Sequence, residues 1–453
     1  VQTQLDNIVG SGLKLSAKPD WRALGLTAEW AAEWSRDVES KWRLFSEDID
    51  AYCDAGRRMT VSMMIGQAMR SFLVTGEALA SAEWLPNRGA RYATSIQMID
   101  PARLCNPNDG LNTDRLRGGV EMDRFGAPTH YHIRHALQSD TLFCSNTTKW
   151  RRIKRETRWG RRQIIHLFDP ERAGQTRGKS GLAAVLSKSK TLESFQDVAL
   201  EAATVNAMYA AVIESEFDHA QVADALGSAA DSSELATSLL TDMADYHNAG
   251  SVKFDGVKIP HLYPGERFKI NSSEHPGPNF GEFEKSVIRH LAAGMGVSYE
   301  QLARDYSDTN YSGARAGMME SWKFFSTKRS VIAGGFAGQI YALWLEEAID
   351  KGDVDRPPAT PSFYDAKTAW CSCRWIGPSQ GHIDPLKETK ADVLAIDRGL
   401  KTFEKACAER GDDWEESLEQ AAREKQRMKD LGLTLQDIAY SMNLTEAGGS
   451  KDK

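Results

Sequence analysis

The stretch Ile165-His-Leu-Phe-Asp-Pro-Glu-Arg-Ala-Gly-Gln-Thr-Arg-Gly-Lys-Ser180 decides how this chain is to be read. It opens as a strand-like apolar run and passes through a turn punctuated by Pro170 and Gly174. Behind it, Leu182 to Ile213 repeats Leu192, Phe195, Ala199, Ala202, Val205, Met208 and Val212 at steps of three and four, the period of a helix. At ~1.5 Å per residue that helix spans roughly 48 Å. A strand, a glycine loop and a helix in this order are the setting of a phosphate-binding loop, and Gly174-Gln-Thr-Arg-Gly178-Lys179-Ser180 nearly is one. Such a loop needs four residues between its glycines so that backbone N–H groups wrap the phosphates; here there are three, and no strand ending in an Mg²⁺-holding Asp pair follows. An NTPase is the enzyme reading this motif leaves.

Upstream, Glu77 to Phe168 reads as mainly β, with runs such as Ser95 to Ile99 and Gly118 to Met122 between turn-rich pieces. Thr27 to Ala55 and Thr60 to Thr75 read as helices, and Trp30, Trp34, Val38, Trp42 and Phe45 form a core stripe. Downstream, Glu214 to Asn279 breaks into a small inserted domain with strand-like pieces at Val252 to Phe254 and Val257 to Leu262. A helical pattern returns at Phe280 and is interrupted at Gly294 and Gly296. The polar loop Asp305 to Asn310 precedes a long helix capped by Ser312 and kinked at Gly334-Gly335. Asp384-Pro385 starts a further helix that Gly399 stops, and Thr402 to Arg410 and Asp413 to Leu431 follow. The fold class expected is α+β, with a frayed tail after Asn443.

Six scattered cysteines in 453 residues fit free thiols in a reducing compartment, and no secretory leader pattern is visible. The longest apolar stretch, Val331 to Leu345, is interrupted by Gln339 and falls short of the ~20 residues a membrane helix needs. The net charge of −7 is unevenly divided: Val185 to Arg304 carries 9 basic against 17 acidic residues, and Thr191 to Val252 has no Lys or Arg at all. Just upstream, Lys149-Trp-Arg-Arg-Ile-Lys-Arg-Glu-Thr-Arg-Trp-Gly-Arg-Arg162 sets eight basic residues against one acid; it reads as an exposed loop, with Arg151, Arg152, Lys154, Arg155 and Arg158 as candidate contacts to nucleic acid or to another subunit. His130, His132 and His135 cannot share a strand face, and Cys371, Cys373 and His382 lack a second cysteine pair, so neither set predicts a metal.

Three stretches together resemble the lambda-type phage portal family. They are Ile165 to Gly178; Ala292-Ala-Gly-Met-Gly-Val-Ser-Tyr-Glu-Gln-Leu302 with Asp305-Tyr-Ser-Asp-Thr-Asn-Tyr-Ser-Gly-Ala-Arg315; and Ile383-Asp-Pro-Leu-Lys-Glu388 with Gly411-Asp-Asp-Trp-Glu-Glu416. Lys179 and Gly313 depart from the family pattern.

The resemblance implies a non-enzymatic ring subunit without cofactor, usually one of twelve around a channel for double-stranded DNA at a capsid vertex of the virion. It also implies partners: terminase, the major capsid protein and head-tail connectors, with no membrane. Residues 1–181 would be the wing, 182–213 and 280–304 the stem helices, 214–279 the clip, 312–355 the kinked helix with more wing, and 356–453 wing and crown. Asp305, Tyr306, Ser307, Asp308, Thr309, Asn310 and Tyr311 would be the tunnel loop that touches DNA. The acidic stretch is then either a solvated helical face or a channel wall that repels duplex phosphates, so that they are not held by counterion release. A generic DNA-binding protein using the basic stretch is the third reading.

Overall fold

The computed structural model describes residues 1–137, 139, 146–208, 241, 251–254, 257–260, 280–307, 310–381 and 384–433. Most of the expected inserted domain, Asp308, Thr309, His382 and the tail after Asn443 lie outside the described residues. The chain divides into two compact units, Val1–Ala183 with Gly294–Lys453, and Ala184–Ala293. Helix and strand are mixed, as expected.

The larger unit opens with α1 (Gln2–Ile8), β1 (Lys14–Ala17), α2 (Trp21–Leu24), α3 (Ala28–Ser46) and α4 (Val61–Thr75). Thr27 and Thr60 cap α3 and α4, their hydroxyls accepting from Trp30 N and Met63 N, each satisfying one of the free N–H groups of a first turn. The first helix was expected to run to Ala55 but stops at Ser46. The buried Asp54 carboxylate accepts from the N–H groups of Gly56, Arg58 and Met59, folding the segment into a turn.

Strands β2 (Glu77–Trp84), β3 (Thr94–Ile99) and β8 (Ile164–Phe168) form one antiparallel sheet, order β3-β2-β8. β4 (Leu116–Arg117), β5 (Val120–Met122), β6 (Pro128–Arg134) and β7 (Trp150–Lys154) form a second, order β4-β5-β6-β7. The basic stretch expected to be a loop therefore begins as an edge strand. Arg151 and Ile153 point to one face, Trp150, Arg152 and Lys154 to the other, and long basic side chains suit an edge because they discourage further pairing.

In the smaller unit, α5 (Ala183–Met208) and α6 (Phe280–Met295) pack through Phe195, whose ring centroid lies 5.2 Å from Phe280 and 5.0 Å from Phe283. Gln196 Nε2 donates to Glu284 Oε1 at 2.5 Å. β9 (Ser251–Phe254) pairs antiparallel with β10 (Val257–Pro260).

The larger unit resumes with α7 (Tyr299–Ala303) and α8 (Tyr311–Ile332), then a π-helical turn at Ala333–Ala337 and α9 (Gly338–Asp350). The expected cap Ser312 is displaced: Asn310 caps α8, its Oδ1 accepting from Gly313 N at 2.7 Å. The expected Gly-Gly kink falls within the π turn, where a side chain on Gly335 would overlap Leu167 of β8. α10 (Lys367–Trp370), β11 (Cys373–Ile376), α11 (Pro385–Asp397), α12 (Phe403–Arg410) and α13 (Trp414–Leu431) complete the chain. β11 pairs with β1, from Lys14↔Ile376 to Ala17↔Cys373, and so joins the two ends of the unit.

The core centres on Trp42, whose ring meets Trp344 at 5.3 Å, Tyr341 at 5.6 Å and Trp375 at 6.1 Å, edge to face. Beside it, Glu39 accepts from Ala17 N at 2.7 Å, and burial, with Asp413, Glu415 and Glu416 adding repulsion, pushes its carboxyl up to about 7. A raised carboxyl keeps its proton in the folded state over a range where the unfolded chain has lost it. Stability therefore falls as pH rises from about 4.5 to about 7. Glu39→Gln, which keeps the acceptor and removes the charge, is expected to raise the melting temperature at pH 8 by the equivalent of ~2 kcal/mol and to change little at pH 4.5. Equal shifts at both pH values would show that folding does not raise the Glu39 carboxyl.

Candidate functional site

Glu77 follows the C-cap Gly76 of α4 and begins β2, so its carboxylate enters the interior between two strands. His166 Nε2 lies 2.9 Å from Glu77 Oε2, Gly178 N donates to the same oxygen at 3.1 Å, and the Arg177 guanidinium forms a fork onto the carboxylate. Burial alone would raise this acid; His166 and Arg177 outweigh it and hold it at about 2. Arg177 also donates to the carbonyls of Pro101, Leu104 and Gly118, tying the second sheet to the loop. The close crossing of two backbones requires glycine: a Cβ on Gly76 would overlap Lys179, and one on Gly178 would overlap Gly76. The near-phosphate loop thus wraps a carboxylate of its own chain, and Lys179 pairs at 3.1 Å with Glu171.

The basic stretch does not act as one patch. Arg152 binds Glu121 bidentately at 2.8 and 2.7 Å, and Glu121, also met by His132 at 2.6 Å, is held at about 2, chiefly by Arg152. Arg151 is 3.7 Å from Glu83. Arg161 is buried against Glu346, Thr94 Oγ1 and the Leu343 carbonyl. Arg155 is half-buried, its Nε without a partner. Lys154 and Arg158 are exposed, with no partner among the described residues. His130 and His132 share Glu121, His135 stands apart on the exposed bend after β6, and among the described residues no group of three metal-ligating side chains assembles.

The loop between α7 and α8 is held from within. Ser298 caps α7 in a reciprocal box with Gln301, and Arg304 ends it in the left-handed region at φ 55°. Asp305 accepts from Ser307 N at 3.1 Å and Ser307 Oγ at 2.6 Å on one oxygen, and from Tyr299 OH at 3.3 Å on the other. Tyr306 is 55% exposed. Asn310 is the cap of α8, and Tyr311 is already helical. Gly296, at φ +67°, lets the chain pass Phe324 of α8, to which a Cβ would come within 2.8 Å. In the smaller unit, Glu193, Asp197 and Glu201 recur every fourth residue on α5 and are exposed.

Sequence reasoning missed Glu77 and Arg177. Their signal, a glutamate straight after a helix-ending glycine and an arginine beside the second loop glycine, is visible only once the two segments are known to cross.

Comparison with known proteins gives a consistent family. A family model described as phage portal protein, lambda family, matches residues 1–329. The chain is 39% identical over 456 residues to the portal protein of Escherichia phage N15, covering 100% of this chain and 84% of that protein. It is 38% identical to portal protein B of Escherichia phage lambda, covering 96% and 81%. A probable portal protein of Halomonas phage phiHAP-1 is 24% identical over 88% of this chain and 71% of that protein. Among solved structures, the neck of a native GTA particle computed with C12 symmetry aligns over 83% of this chain and 88% of that chain, with 13% identity and a TM-score of 0.37.

Two substitutions read out this geometry. Arg177→Ala leaves Glu77 buried without its fork and is expected to cost about 3–5 kcal/mol, measured as a lower denaturation midpoint; a loss under about 1 kcal/mol would mean that the carboxylate is not held by this ion pair. Asp305→Ala removes the acceptor of the Ser307 amide and is expected to speed its hydrogen exchange about five-fold, the equivalent of ~1 kcal/mol. Unchanged exchange would place the turn's restraint elsewhere.

Proposed function

The chain belongs to the lambda family of phage portal proteins, and from that premise we propose that it assembles, usually as twelve copies, into a ring around a channel for duplex DNA at one capsid vertex. The observation that carries the proposal is likeness over nearly the whole chain to two portal proteins, rather than any local motif. Here α5 and α6 are stem helices, 214–279 is the clip, and the C-terminal helices are wing and crown. The stem helices leave Leu186, Val198, Leu200 and Phe283 half or more exposed, the surface a neighbouring copy would cover.

In this reading the loop at 305–311 is the tunnel loop. Its internal hydrogen bonds leave Tyr306 pointing outward, a flat side chain able to slide along a backbone without gripping it. The exposed carboxylates of α5, repeated around a ring, repel phosphates, so DNA passes with little friction and low affinity. The protein conducts and holds; force comes from a terminase docked at the clip, and capsid protein and head-tail connectors bind the outer faces. Of the candidate contacts Arg151, Arg152, Lys154, Arg155 and Arg158, Lys154 and Arg158 are exposed without a partner among the described residues and stay available to DNA or to a neighbour.

Hydrolysis of NTP by this chain is disfavoured by the loop geometry, since Gly178 N and Arg177, which would have to wrap the phosphates, already bind Glu77. Electron microscopy of the purified protein is expected to give rings with a central channel and about twelvefold symmetry. Only compact monomers across salt and protein concentration would count against the ring. ATP turnover that disappears in Lys179→Ala would overturn the non-enzymatic reading.

A further inference from the structure

We propose that Arg117, Arg172 and Lys179 form a binding site for phosphate groups, on the solvent side of the loop that wraps Glu77. A hollow of 530 Å³ lies there, bounded by the β4–β5 turn and by residues 171–179. Four cations line it against one carboxylate, Glu171. Arg177 is committed to Glu77 beneath. Arg117 and Arg172 have exposed side chains and no partner among the described residues. Lys179 and Glu171 are both about three-fifths exposed, and an ion pair so placed contributes little, so Lys179 can turn to a better anion.

The walls are fixed before any ligand arrives. Gln175 Oε1 accepts from the N–H groups of Glu171 and Arg172, and its Nε2 donates to the Arg177 carbonyl, so the loop is folded on itself. Arg177 donates to the Gly118 carbonyl, while Asn112 Oδ1 accepts from Gly118 N, holding the opposite wall. Gly174, at φ +75°, has nothing within 4 Å of where a Cβ would be, which keeps the mouth open. Two guanidinium groups not paired to the one acid of the hollow suit a ligand bearing several closely spaced oxyanions, because each planar fork can take two oxygens at once. A single carboxylate would satisfy one of them. The lining is polar loop and basic side chain, so an apolar ligand gains little.

Phosphate chemistry has two sources here, the backbone of duplex DNA or a free phosphate, and the duplex arm rests on the portal reading. The test uses the full chain and the double variant Arg117→Ala/Arg172→Ala, whose melting temperature should stay unchanged because neither side chain has a partner to lose. A fluorescent ~20-base-pair duplex is titrated across a salt series, and inorganic phosphate is titrated by calorimetry. If the site takes DNA, the double variant binds the duplex about ten-fold more weakly, and its slope of log K against log salt is shallower by about 1.8, or ~0.9 per lost contact. If it takes free phosphate, millimolar phosphate binds the wild type and not the variant, and the duplex slope is unchanged. Identical duplex and phosphate binding in the two proteins overturns the site. Micrographs of the same preparations separate the two readings: rings without an anion effect remove only this site, and an anion effect without rings removes only the channel.

Discussion

A carboxylate taken out of water must find donors, and in this protein that requirement fixes the centre of the larger unit. Glu77 is 4% exposed, and the groups that satisfy it come from His166 at the end of the first sheet and from Arg177 and Gly178 about a hundred residues along the chain. Unpaired, the ionised group would cost several kcal/mol. The segment between β8 and α5 therefore cannot lift away while the sheet stands. Because Arg177 also donates to carbonyls at Pro101, Leu104 and Gly118, the same guanidinium aligns the second sheet with the first. The two glycines, Gly76 and Gly178, let the backbones come that close.

A second buried acid repeats the logic at the far side of the core. Glu347 on α9 accepts from Ala93 N, Thr94 N and Thr94 Oγ1, and pairs with Lys351, so the end of the long helix is keyed to the first residues of β3. Burial would raise this acid as well; Lys351, Thr94 and the two backbone donors bring it below its ordinary value. The aromatic cluster around Trp42 then fills the space between the two keyed elements, and β11 closes it by pairing with β1. Directional polar contacts fix orientation, and the rings contribute the larger share of buried area.

What was legible in the chain divides along the same line between local and distant. Helices with a cap and a stripe were readable: Thr60 before α4, Asp384-Pro385 before α11 and Thr402 before α12 all cap as their residue types require. Errors arose where a nearby side chain overruled the pattern. Asp48 turns the chain after α3, its carboxylate taking the N–H groups of Asp50 and Tyr52, and Asn310 took the cap of α8 from Ser312. The basic stretch begins as a strand although its charge suits a loop; Trp150 and Ile153 fall on opposite faces and leave no one-sided apolar alternation to mark it. The pairing of β1 with β11, some 360 residues apart, and the Glu77 centre leave no local trace at all.

The charge pattern has a physical reading once its two halves are separated. In the larger unit several arginines are structural cross-links: Arg134, Arg152, Arg161, Arg177 and Arg329 each bind an acid or backbone carbonyls. Their charge is absorbed by the fold and is not offered to a partner. The opposite holds on α5, where Glu193, Asp197 and Glu201 stand one turn apart and exposed, with no basic side chain between them in the sequence. Like charges four residues apart weaken a helix by a few tenths of a kcal/mol per pair. In the proposed ring such a stripe has a use, since a fixed line of carboxylates would keep a polyanion centred and mobile, and ring closure would multiply one weak line into a continuous field. The acids of α5 and the cross-linking arginines of the larger unit thus differ in kind: the first stay exposed to solvent, while the second hold the subunit together.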